Sequence, residues 1–157
     1  MNGTDGDLGY TPERREIGAA RSDAKQLSSQ LLDILNLDGK VTEPGPGVSL
    51  CEGRDTDKFF KIRHPWSVYD VPVEDMERAM EKLREALPER GWEVTSYGPD
   101  ESRAKSLTLF ADSTEKKFTA QVKLLDRRGR SDHPSGITVT LVSACFQVPE
   151  GQTVDEY

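Results

Sequence analysis

The sequence predicts a single α+β domain, with two helices on one face of a five-stranded, mostly antiparallel sheet. Three observations lead there. Two segments space their apolar residues three and four apart, the period of an amphipathic helix. Five stretches alternate apolar and polar residues with a period of two, as half-buried strands do. The last four of these stretches follow one another through short, turn-rich linkers, the pattern of a meander.

The first helix is expected over residues 12–37, with Ile17, Ala20, Ala24, Leu27, Leu31 and Leu35 along one face. Thr11 before Pro12 supplies a start and Asp38-Gly39 a stop. Ahead of it, residues 1–11 are rich in Gly, Asp and Asn and have little to bury, so they read as a disordered tail. Residues 12–157 then form the single domain. The segment TEPGPG breaks regular structure and delivers the chain to Cys51.

The first strand falls at residues 59–69, where Phe60, Ile62, Trp66 and Val68 share one parity. Pro65 has no N–H for a ladder, which predicts an edge position or a bulge. The stretch VPVEDMERAMEKLREALPERGW carries the second helix, with Met76, Ala79, Met80, Leu83 and Leu87 on one face. Glu74, Asp75 and Glu77 lie in its first turn, where the dipole favours negative charge. Pro88 and Gly91 end it. Strands two to five are WEVTSY, SLTLFA, KFTAQVKLL and ITVTLVSACF. In the last of these Ile137, Val139, Leu141, Ser143 and Cys145 are in phase.

Cys51 and Cys145 are the only two cysteines. A Cys/His catalytic pair needs a neighbouring histidine and an orienting acid, and His64 and His133 are each followed by proline. A zinc site lacks any C-x₂-C or H-x₃-H spacing. Two separate buried thiols would suit a cytosolic chain. A disulfide is the favoured reading, because Cys51 falls in a loop where a free thiol would be reactive. Such a bridge persists in oxidising compartments. It also constrains topology: bridged Cα atoms lie within about 7 Å, so the start of strand one should sit beside the end of strand five. The expected sheet order is then 2-3-4-5-1, with the second helix crossing the sheet.

Composition narrows the function classes. Of 157 residues, 34% are hydrophobic and 31% charged, and the net charge of −7 argues against affinity for nucleic-acid backbones. No apolar run is long enough to span a bilayer, and MNGTDGDLGYTPERRE has neither the basic start nor the apolar stretch of a signal peptide. Arg127, Arg128 and Arg130 cluster before the last strand and could clamp an anionic group. No aromatic residue is interleaved for base stacking, and Asp126 and Asp132 flank them. Trp66 and Trp92 have the parity of core positions. Tyr69 and Tyr97 lie at strand ends, where a recognition role is open. No catalytic, cofactor-binding or metal-binding motif is present.

The stretches HPWSVYDVP, LREALPERGWEVTSYGPDES and VSACFQVPEG give the chain a resemblance to small lipoproteins of actinobacteria. The likeness runs over residues 24–151. It implies a cleaved signal and an N-terminal lipidated cysteine, neither of which lies in this chain, and it offers no catalytic residues. The expectation is a non-catalytic extracytoplasmic module, secreted or lipid-anchored, that binds a small ligand or a protein partner. The alternatives are a small enzyme built from scattered carboxylates, arginines and tyrosines, or a cytosolic interaction protein.

Overall fold

The computed structural model describes residues 10–42, 45–129 and 132–154. Most of the tail expected over residues 1–11, and Arg130, therefore lie outside the described residues. The chain is α+β with a mostly antiparallel sheet and two helices. The elements, in chain order, are β1 (Glu13–Arg14), α1 (Ile17–Leu35), β2 (Lys40–Val41), β3 (Gly47–Ser49), β4 (Phe59–Tyr69) and α2 (Val73–Ala86). A 3₁₀ turn at Leu87–Arg90 follows, then β5 (Trp92–Pro99), β6 (Leu107–Ser113), β7 (Phe118–Leu125), β8 (Gly136–Ser143) and β9 (Phe146–Gln147).

The sheet has nine strands among the described residues rather than five, because β1, β2, β3 and β9 are each only two or three residues long. Pieces that short carry no period that a sequence pattern can reveal. The main path runs β1-β9-β4-β8-β7-β6-β5, and β2 and β3 pair with β4 off that path. β1 runs parallel to β9; every other pairing is antiparallel.

β4 is not an edge strand. It pairs with β8 and, further along the same side, with β9, and with β2 and β3 on the other side. Pro65 is tolerated because the ladder on that second side is interrupted. β3 covers Lys61 to Arg63 and β2 covers Val68 and Tyr69, so neither strand reaches Pro65. Ser67, of the same parity, sends its N–H to Thr42 Oγ1 beyond that edge. The N–H that proline lacks would therefore point into the gap between β2 and β3, not toward β8.

α1 begins at Ile17 rather than at residue 12. The stretch that looked like its first turn leaves the helix to form β1, whose partner β9 lies 133 residues away (146 − 13). Its expected apolar face is buried in full: Ile17, Ala20, Ala24, Leu27, Leu31 and Leu35 all enter the core. The helix ends where Asn36 turns left-handed (φ 49°) and its N–H closes on Leu32 O. Asparagine tolerates that conformation better than most residues. α2 buries Val73, Met76, Ala79, Met80 and Leu83; Gly91, at φ 88°, completes the exit that Pro88 starts.

Buried positions fall on one sheet face. Across the strands, Trp66 lies opposite Val139, Val139 opposite Val122, and Val122 opposite Leu109. α1 packs on β4 and on α2, and α2 packs on β7 and β8. The next row over, Pro65, Thr140, Gln121 and Phe110, occupies the opposite, partly exposed face.

Two local irregularities move side chains from their expected places. A bulge between Val94 and Ser96 turns Tyr97 onto the helix-covered side opposite Leu109, and sends Ser96 outward with Phe110. β8 stops at Ser143; the alternation lasts through Ala144 and Cys145 and breaks at Phe146, so the successive residues Cys145 and Phe146 are both buried. Cys145 therefore lies just past the last long strand, not within it. It is bridged to Cys51 with a Cα–Cα distance of 5.9 Å. The Cys145 N–H donates to Tyr10 Oη at 2.8 Å, which fixes the entering chain beside the bridge.

Candidate functional site

The two tyrosines singled out by the sequence do not converge. Tyr97 belongs to β5, at one end of the sheet order, and Tyr69 to β4, on the far side of β8, β7 and β6. Around Tyr97, Glu81 and Arg84 of α2 pair at 3.1 Å, and the Arg84 guanidinium lies 5.2 Å from the ring centre. Burial of the phenol, reinforced by its hydrogen bond with Glu81, pushes the Tyr97 pKa up to about 12. The phenol therefore stays protonated across the physiological range and is unsuited to proton transfer there.

Arg128 is occupied by the protein's own carboxylates, Asp126 at 2.8 Å and Glu74 at 3.3 Å. Arg127 donates from Nη1 to Pro134 O. Arg128 does border an open hollow of about 430 Å³, but Asp70 and Glu74 line it too. That balance of charge gives an anion little advantage.

A more defined cleft lies where α1 crosses β4. It encloses about 390 Å³ and has a buried polar floor. Ser28 Oγ and His64 Nδ1 share a hydrogen bond at 2.8 Å, and Trp66 Nε1 donates to the same Oγ at 2.9 Å. An indole nitrogen only donates, so the hydroxyl accepts there and keeps its own proton available to Nδ1. Ser28 and His64 are each 7% exposed, so this network is shielded from competing water.

The walls of the cleft follow from local structure. Lys25, Ser28, Ser29 and Leu32 fall at positions i, i+3, i+4 and i+7 of α1, which places them on one helix stripe. Val41 and Thr42 close the opposite side, held to β4 by mutual hydrogen bonds between Thr42 and Ser67. Gly45 and Pro46 complete the rim on the approach to β3. The result is an apolar wall of Leu32, Val41 and Trp66, a satisfied polar floor, and a rim bearing Lys25, Ser29 and Thr42.

Sequence reasoning placed Trp66 in the core and passed over Ser28 and His64 as a pair. The signal was present in two phase defects. Ser28 fills a slot in the buried stripe between Ala24 and Leu31, and His64 is the polar member of the in-phase series Phe60, Ile62, Trp66 and Val68. A polar residue in an apolar phase needs a partner; here each is the other's.

Replacing Ser28 with alanine strips the acceptor from Trp66 Nε1 and removes a partner from His64. The expected loss is about 2–4 kcal/mol of unfolding free energy, the cost of orphaning buried polar atoms. Urea unfolding of Ser28→Ala beside Ser28→Thr, which keeps the hydroxyl, measures it. A loss below about 0.5 kcal/mol in the alanine variant would show that the network contributes little.

Among the described residues, no group of three or more His, Cys, Asp or Glu is placed to hold a metal ion. No described helix is long and apolar enough to cross a membrane. The chain matches no family model, no curated protein and no solved structure.

Proposed function

We propose that the chain is a non-catalytic, extracytoplasmic binding module whose ligand seats in the cleft between α1 and β4. The observation that carries this reading is the cleft itself: about 390 Å³ of concave space over a floor whose polar atoms are already paired. Small-molecule sites have that character, with mostly apolar walls and a few placed polar groups. A floor of satisfied, buried groups is rigid, so little ordering free energy is lost when a ligand enters. The disulfide is compatible with an oxidising, extracytoplasmic compartment. The resemblance to lipoproteins of actinobacteria supports the same address, with a lipid anchor outside this chain.

The indole N–H of Trp66 reports directly on the floor. Trp66 and Trp92 are the only tryptophans, so Trp92→Phe assigns the two indole resonances in a nitrogen–proton NMR spectrum. A screen of chemically varied small molecules is expected to yield binders that shift the Trp66 signal. Introducing bulk at the rim with Ser29→Trp should block them. Binders that all spare Trp66, or that are indifferent to the blocking variant, would remove the cleft from consideration.

The 2.8 Å contact between Ser28 and His64 also raises a second reading, a serine nucleophile with a histidine base. Ser28 lies inside α1, where backbone N–H groups are committed to helical bonds and offer no oxyanion hole. Its oxygen also accepts from Trp66. Labelling with a fluorophosphonate probe distinguishes the two: stoichiometric modification of Ser28 supports the hydrolase, and its absence the binding module.

A further inference from the structure

We propose that the cleft over Ser28, His64 and Trp66 selects small amphipathic carboxylates, with the charged head at Lys25 and the apolar body against Leu32, Val41 and Trp66. This rests on the reading of the cleft as a ligand site and adds the chemical class of the ligand. Four observations converge. First, among the described residues the lining includes a lysine and no carboxylate, in a protein whose net charge is −7. Second, Lys25 forms no ion pair with a described residue; the nearby helix carboxylate Asp23 is engaged by Arg15 at 3.5 Å and Lys116 at 3.6 Å. Third, the polar groups are stratified. Ser28 and His64 are buried and bonded to each other, whereas Lys25 and Ser29 are exposed. A ligand's polar end is therefore satisfied at the rim, not at the floor.

Fourth, the rim offers donors matched to a carboxylate. Thr42 Oγ1 accepts the Ser67 N–H, so its hydroxyl proton is available to donate. With the Lys25 ammonium and the Ser29 hydroxyl, three donor groups border the mouth. The depth below them is apolar on the sides and closed by the indole of Trp66, which suits an aryl or alkyl chain. An amine would meet Lys25 with like charge. An alcohol would keep the apolar contacts and lose the charge-assisted bond.

The test uses three probes of nearly equal shape, 4-phenylbutyrate, 4-phenylbutan-1-ol and 4-phenylbutylamine, titrated into the intact protein while the Trp66 indole N–H is followed. The carboxylate is expected to bind about three- to fivefold tighter than the alcohol, the scale of one partly exposed ion pair, and tighter still than the amine. Raising ionic strength should narrow that gap. Lys25→Gln should abolish it, and Lys25→Glu should reverse the order of carboxylate and amine. Lys25 is exposed, so neither variant threatens folding. If the three probes shift Trp66 with equal affinity, or the amine binds best, the carboxylate class is wrong and the cleft remains a binding site. If none moves Trp66, this inference fails too, while the broader screen decides the cleft independently.

Discussion

Removing the bridge by Cys51→Ala with Cys145→Ala is expected to lower the melting temperature by roughly 6–20 °C. The bridge joins residues 94 apart in sequence. Closing a loop of that length in the unfolded chain contributes about 3–5 kcal/mol on entropic grounds, and each kcal/mol moves the midpoint of a domain this size by about 2–4 °C. Both cysteines are buried, so alanine leaves no polar atom stranded. Burial has a second consequence. Reductant should act slowly on the folded protein, at the rate of global opening, and quickly in denaturant. Thiol titration of the unfolded, unreduced chain should detect no free sulfhydryl. A melting temperature unchanged in the double variant would contradict the stabilising role, and free thiols would contradict the bridge.

Phe146→Ala is expected to cost about 4 kcal/mol, in the upper range for truncating a buried aromatic side chain. Phe146 has no exposed surface. Its ring meets Phe60 at a centroid distance of 5.8 Å and Phe118 at 6.4 Å, both in tilted or edge geometries. Arg15 caps the cluster, its guanidinium 4.2 Å from the ring centre. Alanine therefore removes the ring that joins β9 to β4, β7 and the residue that follows β1. Chemical denaturation should show a lower midpoint with an unchanged m-value, and Phe146→Leu should recover much of the loss. A cost below about 1 kcal/mol would mean that the cluster closes over the gap.

The importance of Phe146 was hidden in the sequence for a physical reason. Alternation places Cys145 in the buried phase of the last strand and Phe146 outside it. The chain leaves the ladder at Ser143, and both residues then turn inward, one to the bridge and one to the aromatic cluster. Period-two reasoning assumes an unbroken strand, and a one-residue shift in register between Ser143 and Phe146 defeats it. The bulge in β5 misled the same way, moving Tyr97 across the sheet. The helical faces were legible because both extend over several turns, and the strand cores were legible wherever the ladder is continuous. Ser28 and His64 were visible only as polar interruptions. What joined them was the packing of α1 on β4, a contact over 36 residues of separation that no local pattern encodes. Arg15 is another case. As a charge near a chain end it looks solvated, yet it is held by Glu13, Asp23 and Lys116 O over an aromatic face.

The parallel pairing of β1 with β9 has a mechanical consequence. Because the two strands run the same way, Glu13 lies level with Phe146 and Arg14 with Gln147. Tension applied through the two ends of the chain then acts along this strand pair in shear, loading its bonds together instead of unzipping them singly. Behind that clamp, the covalent link from Cys145 to Cys51 carries the load straight across, and the 94-residue span between them feels none of it. At about 3.4 Å per extended residue, roughly 320 Å of chain is withheld from stretching. A bridged molecule pulled by its ends would lengthen through its first helix and then stop, with most of the sheet still folded.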